Sequence, residues 1–290
     1  MSALTLDHVG IAVADLDAGA AQFERLGFQL TPRGYHTLPP PAPGAAGPRT
    51  GTGNHCAMLR RGYLEVIGIT DPAYQGRLRA DLAHYEGLHI IAFGTEDAPA
   101  AAAALRQAGL KADAPRILER PIEDDGKERL ARFEIVDFPP ELLPEGHFFA
   151  IRHDTPDLLW KPELLAHPNG VTGLEALTIA VADPADFAGR LGRCLGVTPA
   201  RDEEGLVLRL SAGSVRVVDG AWLAGHLPGK APALPYVAGI GLAVADLGRT
   251  ADLLKRNGVD HARSSDALIV PPAQGCGAFI AFRASTAQAR

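Results

Sequence analysis

The sequence predicts an α+β protein of four βαβββ modules, forming two paired-module domains with curled mixed sheets. Three observations carry this. Residues 6–28, LDHVGIAVADLDAGAAQFERLGF, read as a strand, an acidic residue, a helix and a glycine stop. The same order returns in the stretches that start at Gly87, Leu174 and Val237. Strand-like runs follow the glycines: FQLTP, HCAMLRR and YLEVIGI after Gly27, and VTPAR, LVLRLSA and SVRVVD after Gly196.

In the first copy Val9, Ile11 and Val13 share one strand face, and His8, Gly10 and Ala12 share the other. If the apolar face packs under the helix, His8 looks into whatever the sheet curls around. Asp15 is the expected N-cap and Gly27 the expected C′ residue. The matching acids are Glu96, Asp183 and Asp246, and the matching glycines Gly109, Gly196 and Gly258. Intervals of roughly 60–90 residues exceed solenoid periods, so each copy is a small module in itself.

Residues 31–54 are dense in Pro and Gly and are expected to be irregular: either an insertion or a lid that turns Arg33, Tyr35 or His36 to a ligand. YLEVIGI (63–69) puts Glu65 among Leu, Val and Ile. A carboxylate there needs a metal, an arginine or exposure to water. Residues 71–87 read as a helical connector. His89 has two registers. Matching Glu96 to Asp15 sets it opposite His8, and a one-residue slip packs it beneath its helix. HFFAIRH closes the second module, with Arg152 and His153 on opposite faces. The expected boundaries are an N-terminal domain over 1–153, a Pro-punctuated linker over 154–171 and a C-terminal domain over 172–290. Trp160 and Leu164 are expected to pack between the halves.

At 290 residues the chain suits two ordinary domains. Its net charge of −6 and lack of a basic run argue against nucleic acid as a partner. No apolar stretch is long enough to span a bilayer, and no basic segment opens a signal peptide. Three widely spaced cysteines give no disulfide framework and fit a cytoplasmic setting. There is no nucleophile elbow, P-loop or dinucleotide fingerprint, and Cys56 reads as a core residue. The expected partner is a small-molecule substrate, and a homodimer is an open possibility.

DHVGIAVADLD, followed by GTGNHCAML, GYLEVIGI, EGLHIIAFGT and HDTPDLLWKPELLAHPNG, resembles the vicinal oxygen chelate superfamily and, within it, the glyoxalase-like domain proteins. The resemblance covers nearly the whole chain. It implies a divalent metal ion (Fe, Mn, Ni or Zn) held by His8, Glu65 and His89, with Glu65 also the catalytic carboxylate. It further implies substrate contacts from Asn54, His55, Arg152 and His153. A ligand-type residue is expected on HFFAIRH as the mate of Glu65, and Arg152 or His153 falls nearest that place. In modules three and four, Ala176 and Gly239 match His8, while Arg216 and a position near Ile280 match Glu65. The C-terminal half therefore reads as a structural or dimerising duplicate. Three functions fit the resemblance: a metal-dependent glyoxalase or lyase acting on a vicinal-oxygen molecule, an extradiol-type ring-cleaving dioxygenase, and a metal-free small-molecule-binding protein of the resistance type. Fold alone does not choose among them.

Overall fold

The computed structural model describes residues 4–38, 47–124, 126–227, 231–264 and 266–285. The first module runs β1 (Thr5–Val13), α1 (Leu16–Arg25), β2 (Gly34–Thr37), β3 (Arg49–Met58) and β4 (Tyr63–Ile69). The connector α2 (Arg77–His84) leads to β5 (Gly87–Gly94), α3 (Ala98–Gln107), β6 (Arg116–Asp124), β7 (Lys127–Asp137) and β8 (His147–His153). The third module is β9 (Val171–Ala180), α4 (Pro184–Leu195), β10 (Ala200–Asp202), β11 (Gly205–Arg209) and β12 (Ser214–Val218). After α5 (Gly220–His226) come β13 (Tyr236–Val244), α6 (Leu247–Arg256), β14 (Ala262–Arg263), β15 (Ala267–Val270) and β16 (Phe279–Ala284).

Local chemistry sets the helix ends. The carboxylates of Asp15, Asp183 and Asp246 accept from first-turn N–H groups, satisfying donors that have no partner within the helix. In the second module Asp97 does this, accepting from Ala100, so Glu96 is not the cap. Gly27 follows α1 with φ of 85°, where a side chain would be strained.

In every module the first and last strands pair in parallel: β1 with β4, β5 with β8, β9 with β12 and β13 with β16. First strands of paired modules run antiparallel, β1 against β5 and β9 against β13. Each half is thus an eight-stranded curl, and Val237 opposite Leu88 links β13 to β5. The helices line one shared core. Val9, Ile11 and Phe23 of the first half belong to the same buried cluster as Phe187, Leu254 and Phe282 of the second. Phe28 stands 6.3 Å from Phe282, and Phe148 stands 6.1 Å from Phe187. Each fully buried Leu or Phe in this core contributes about 1.5–3 kcal/mol. The concave faces carry their own clusters, one around Tyr63, Phe133 and Phe149 and one around Tyr85, Tyr236 and Phe279.

Some local expectations change. FQLTP (28–32) is irregular, and β2 begins only at Gly34. Residues 34–37 and 49–54 of the expected loop are strand instead, because β2 pairs antiparallel with β3. Residues 39–46 of that loop lie outside the described residues. Trp160 and Leu164 pack on the concave cluster of the first half rather than between halves, and the Trp160 indole N–H donates to the Leu59 carbonyl at 2.9 Å. Among the described residues no helix is long and apolar enough to cross a membrane.

Candidate functional site

The concave face of the N-terminal half gathers the ionisable side chains. β1 turns His8 inward, where it is buried, stacked on Tyr63 at 4.2 Å and edge-on to Phe149 at 5.8 Å. The β1–β5 register shifts between Leu6 and His8, a bulge at Asp7. Such a bulge re-aims a side chain. Asp7 Oδ1 lies 2.7 Å from His8 Nδ1, and Asp7 also bonds His153 Nε2 at 3.1 and 3.2 Å. Burial would push Asp7 up, but hydrogen bonds from His153 and His8, with their charges, hold it well below the usual carboxylate range.

Glu65 sits on β4 beside Gly10 of β1 and opposite Cys56 of β3. Its Oε1 accepts from the Asn54 side-chain amide at 2.5 Å, and His36 Nε2 lies 3.3 Å from the same oxygen. His36 Nδ1 is 2.8 Å from Thr52 Oγ1, which orients the ring. Arg120 Nη1, reaching across from β6, donates to Asn54 Oδ1 at 3.3 Å. Burial alone would raise the Glu65 pKa. The His36 hydrogen bond and charge, the His8 charge and the Asn54 amide bring it down to about 2. Glu65 is therefore an ionised, buried carboxylate at neutral pH. Cys56 beside it is a protonated thiol, pushed up to about 12 by burial.

Of the expected metal ligands, His8 and Glu65 share this face and His89 does not join them. Asp97 as the true cap moves the register: Ile90 precedes Asp97 by the same seven residues by which His8 precedes Asp15. The pairing agrees, since Gly10 faces Ile90 while His8 faces Ala92, the exchange a local two-fold requires. Ile90 is thus the mate of His8. A Cβ built on Gly10 would stand 2.8 Å from Ile90 Cβ, so the isoleucine fills the space over Gly10. His89 is the extra residue where the register shifts again. It stacks on Tyr85 at 4.1 Å and bonds the Tyr85 carbonyl at 2.8 Å. Burial lowers its pKa.

The mate of Glu65 is also apolar. Glu65 aligns with Gly10 in the β1–β4 ladder, and Phe149 aligns with Ala92 in the β5–β8 ladder. Arg152 and His153 lie further along β8. Arg152 faces Glu134 at 3.3 Å and Asp154 at 3.6 Å and is not at the site, whereas His153 reaches the site through Asp7. Two of the four symmetry-related ligand positions therefore hold Ile90 and Phe149. Among the described residues no group of three or more His, Cys, Asp or Glu side chains is placed to hold a metal ion. The expected three-ligand set does not fit a resident metal.

The expected substrate contacts divide by strand face. Asn54 points in with Cys56, whereas His55 points out, with Nδ1 on the Thr31 carbonyl at 2.9 Å. Of the proposed lid residues only His36 reaches Glu65. Arg33 pairs with Asp17, and Tyr35 lies under the Arg49 guanidinium at 3.6 Å. In the C-terminal half Ala176 and Gly239 hold the His8 positions as expected. Arg216 holds one Glu65 position, in a two-pronged ion pair with Asp202 at 2.6 and 2.9 Å. The fourth such position is Ala281, one residue beyond Ile280, because Gly241 aligns with Ala281.

Two contributors escaped the sequence. Asp7 could not be read, because a bulge has no sequence signature here. Arg120 left a signal: it shares a strand face with Leu118 and Ile122, the same charge-among-apolar pattern that drew attention to Glu65. Two cavities lie elsewhere: one of about 570 Å³ at the start of α1, lined by Asp15, Arg33 and Arg49, and one of about 520 Å³ against α5, lined by Leu223 and Tyr236. Neither contains His8 or Glu65. The buried ionised groups, not the empty volume, mark the candidate site.

The sequence profile of a family described as "Glyoxalase-like domain" matches residues 6–195, which runs past the expected linker into α4. A search of curated proteins finds no match. Among solved structures, a hypothetical protein from Staphylococcus aureus superposes with a TM-score of 0.69 at 13% identity, covering 97% of this chain and 99% of that one. A mutant 4-hydroxymandelate synthase from Streptomyces coelicolor gives 0.58 at 15% identity, covering 97% and 92%. A xylose isomerase-like TIM barrel/4-hydroxyphenylpyruvate dioxygenase fusion protein gives 0.59 at 13% identity, covering all of this chain and 50% of the other. At these identities the structures speak for the fold.

Proposed function

The chain belongs to the glyoxalase-like domain family, within the vicinal oxygen chelate superfamily, and we propose that its N-terminal concave face binds a small oxygen-bearing molecule without a resident metal. One observation carries this reading. Both hydrogen bonds to the ionised Glu65 fall on Oε1, and among the described residues none falls on Oε2. Oε2 is not among the buried atoms left without a partner, so it is an accessible acceptor for a hydroxyl or amine donor. The surrounding wall of Tyr63, Phe149 and Ile90 suits the apolar part of a ligand. His36, about a quarter exposed, marks the way in.

A carboxylate with a pKa of about 2 is a weak general base at neutral pH. Glu65 therefore serves to hold a donor rather than to remove a proton. The metal-dependent glyoxalase, lyase and dioxygenase readings need a third ligand where Ile90 or Phe149 stands, and no step is assigned through a metal.

The test is metal analysis and thermal unfolding of tag-free protein. We expect well under one equivalent of Fe, Mn, Ni or Zn, and a Tm shift below about 1 °C on adding each ion, since only tight binding to the native state raises Tm. A stoichiometric metal that is lost in His8→Ala would overturn the proposal.

A further inference from the structure

The guanidinium of Arg120 is half satisfied. Its Nη1 donates to Asn54 Oδ1 at 3.3 Å, while its Nε is buried with no hydrogen-bond partner among the described residues. Its other side-chain contact is with the Cys56 sulfur, and among the described residues no carboxylate pairs with this arginine. Glu65 is linked to it only through the Asn54 amide, which donates to Glu65 and accepts from Arg120. The Cys56 sulfur beside Arg120 is not a counter-anion, because burial keeps that thiol protonated. A buried N–H on a permanent cation is costly to leave unpaired. The Nε–Nη2 edge has the geometry that matches the two oxygens of a planar anion.

We propose that Arg120 recognises the carboxylate of the ligand through its Nε–Nη2 edge, so that the N-terminal site takes small carboxylic acids whose neighbouring hydroxyl or amine is held by Glu65. This rests on the binding role given to Glu65 above and adds the acid group. Asn54 acts between the two charges: its amide orientation is fixed at both ends, which sets the separation between the acid and donor subsites. Arg120 arrives from β6 in the second module and Glu65 from β4 in the first, so the ligand bridges the paired modules.

Salicylate and its neutral isostere salicylamide are suitable probes. Both carry the hydroxyl, and only salicylate carries the anion. In ¹⁵N-labelled full-length protein, the Arg120 Nε–H signal should shift saturably with salicylate and not with salicylamide. The Asn54 side-chain amide should respond to both. By calorimetry salicylate should bind at least tenfold more tightly than salicylamide, and in Arg120→Gln that ratio should fall to about one. Arg120→Lys, which keeps the charge without the fork, should recover only part of it. An Arg120 signal that ignores salicylate, or a preference that survives Arg120→Gln, would overturn the inference. If Asn54 still responded to both probes, the Glu65 binding role would stand alone. If neither signal moved, both would fall.

Discussion

Glu65→Gln is the most informative single change, because it keeps the volume and removes the charge. Folding lowers the Glu65 pKa from an ordinary 4.5 to about 2. At about 1.4 kcal/mol per pKa unit, that is on the order of 3 kcal/mol of stability. The sign follows from linkage. A carboxylate depressed in the native state stabilises it above the unfolded pKa, and the contribution fades as pH falls through the native value. The contribution is therefore full above about pH 5 and has dropped by about 2 kcal/mol at pH 3. Urea unfolding of both proteins at pH 7, 5, 4 and 3 reads it. Asp7 and Asp137 are also depressed, but they are present in both proteins and cancel in the difference. The wild type should lead by about 3 kcal/mol at pH 7 and by much less at pH 3. Parallel stability curves would refute the reasoning, since they would mean that Glu65 is not held as an ion by His36 and Asn54.

Other outcomes check the rest of the architecture. His89→Ala should cost about 2 kcal/mol, by removing the imidazole that bonds the buried Tyr85 carbonyl and stacks on its ring, while salicylate affinity stays within twofold. A large affinity loss would return His89 to the site. Alanine at Asp97 should destabilise by about 1 kcal/mol in chemical denaturation, and alanine at Glu96 by less than about 0.5. The reverse order would undo the register that puts Ile90 opposite His8. Arg216→Ala should leave calorimetric salicylate binding unchanged and cost no more than about 1 kcal/mol, because its ion pairs are partly exposed.

The repeated strand–acid–helix–glycine pattern was enough to recover the four modules, because alternation and capping are local and survive in each copy. His8 and Glu65 were legible for the same reason: each is a polar residue on an otherwise apolar strand face. His89 was misplaced because Glu96 and Asp97 are adjacent acids, either of which can cap a helix on paper. The backbone chose Asp97, and the surplus residue left β5 as a bulge. The search for a fourth ligand at Arg152 or His153 failed because the mate of Glu65 is set by ladder register, which puts Phe149 there. His55 was lost to simple alternation, being one residue from Asn54 and so on the opposite face. Asp7 and Arg120 depend on a bulge and on an approach between strands distant in sequence, neither of which a linear reading can measure.

The linker indole has a practical consequence. The chain contains two tryptophans, and each stands beside a histidine: Trp160 edge-on to His153 at 4.8 Å, and Trp222 stacked on His226 at 4.2 Å. Each half thus carries its own optical reporter. Replacing Trp222 with phenylalanine leaves one emitter, anchored by its N–H to the Leu59 carbonyl and in edge contact with Tyr63. Its emission would follow ligand binding beside Tyr63 without any added dye. The same residue that closes the polypeptide over the first half makes its occupancy visible in a cuvette.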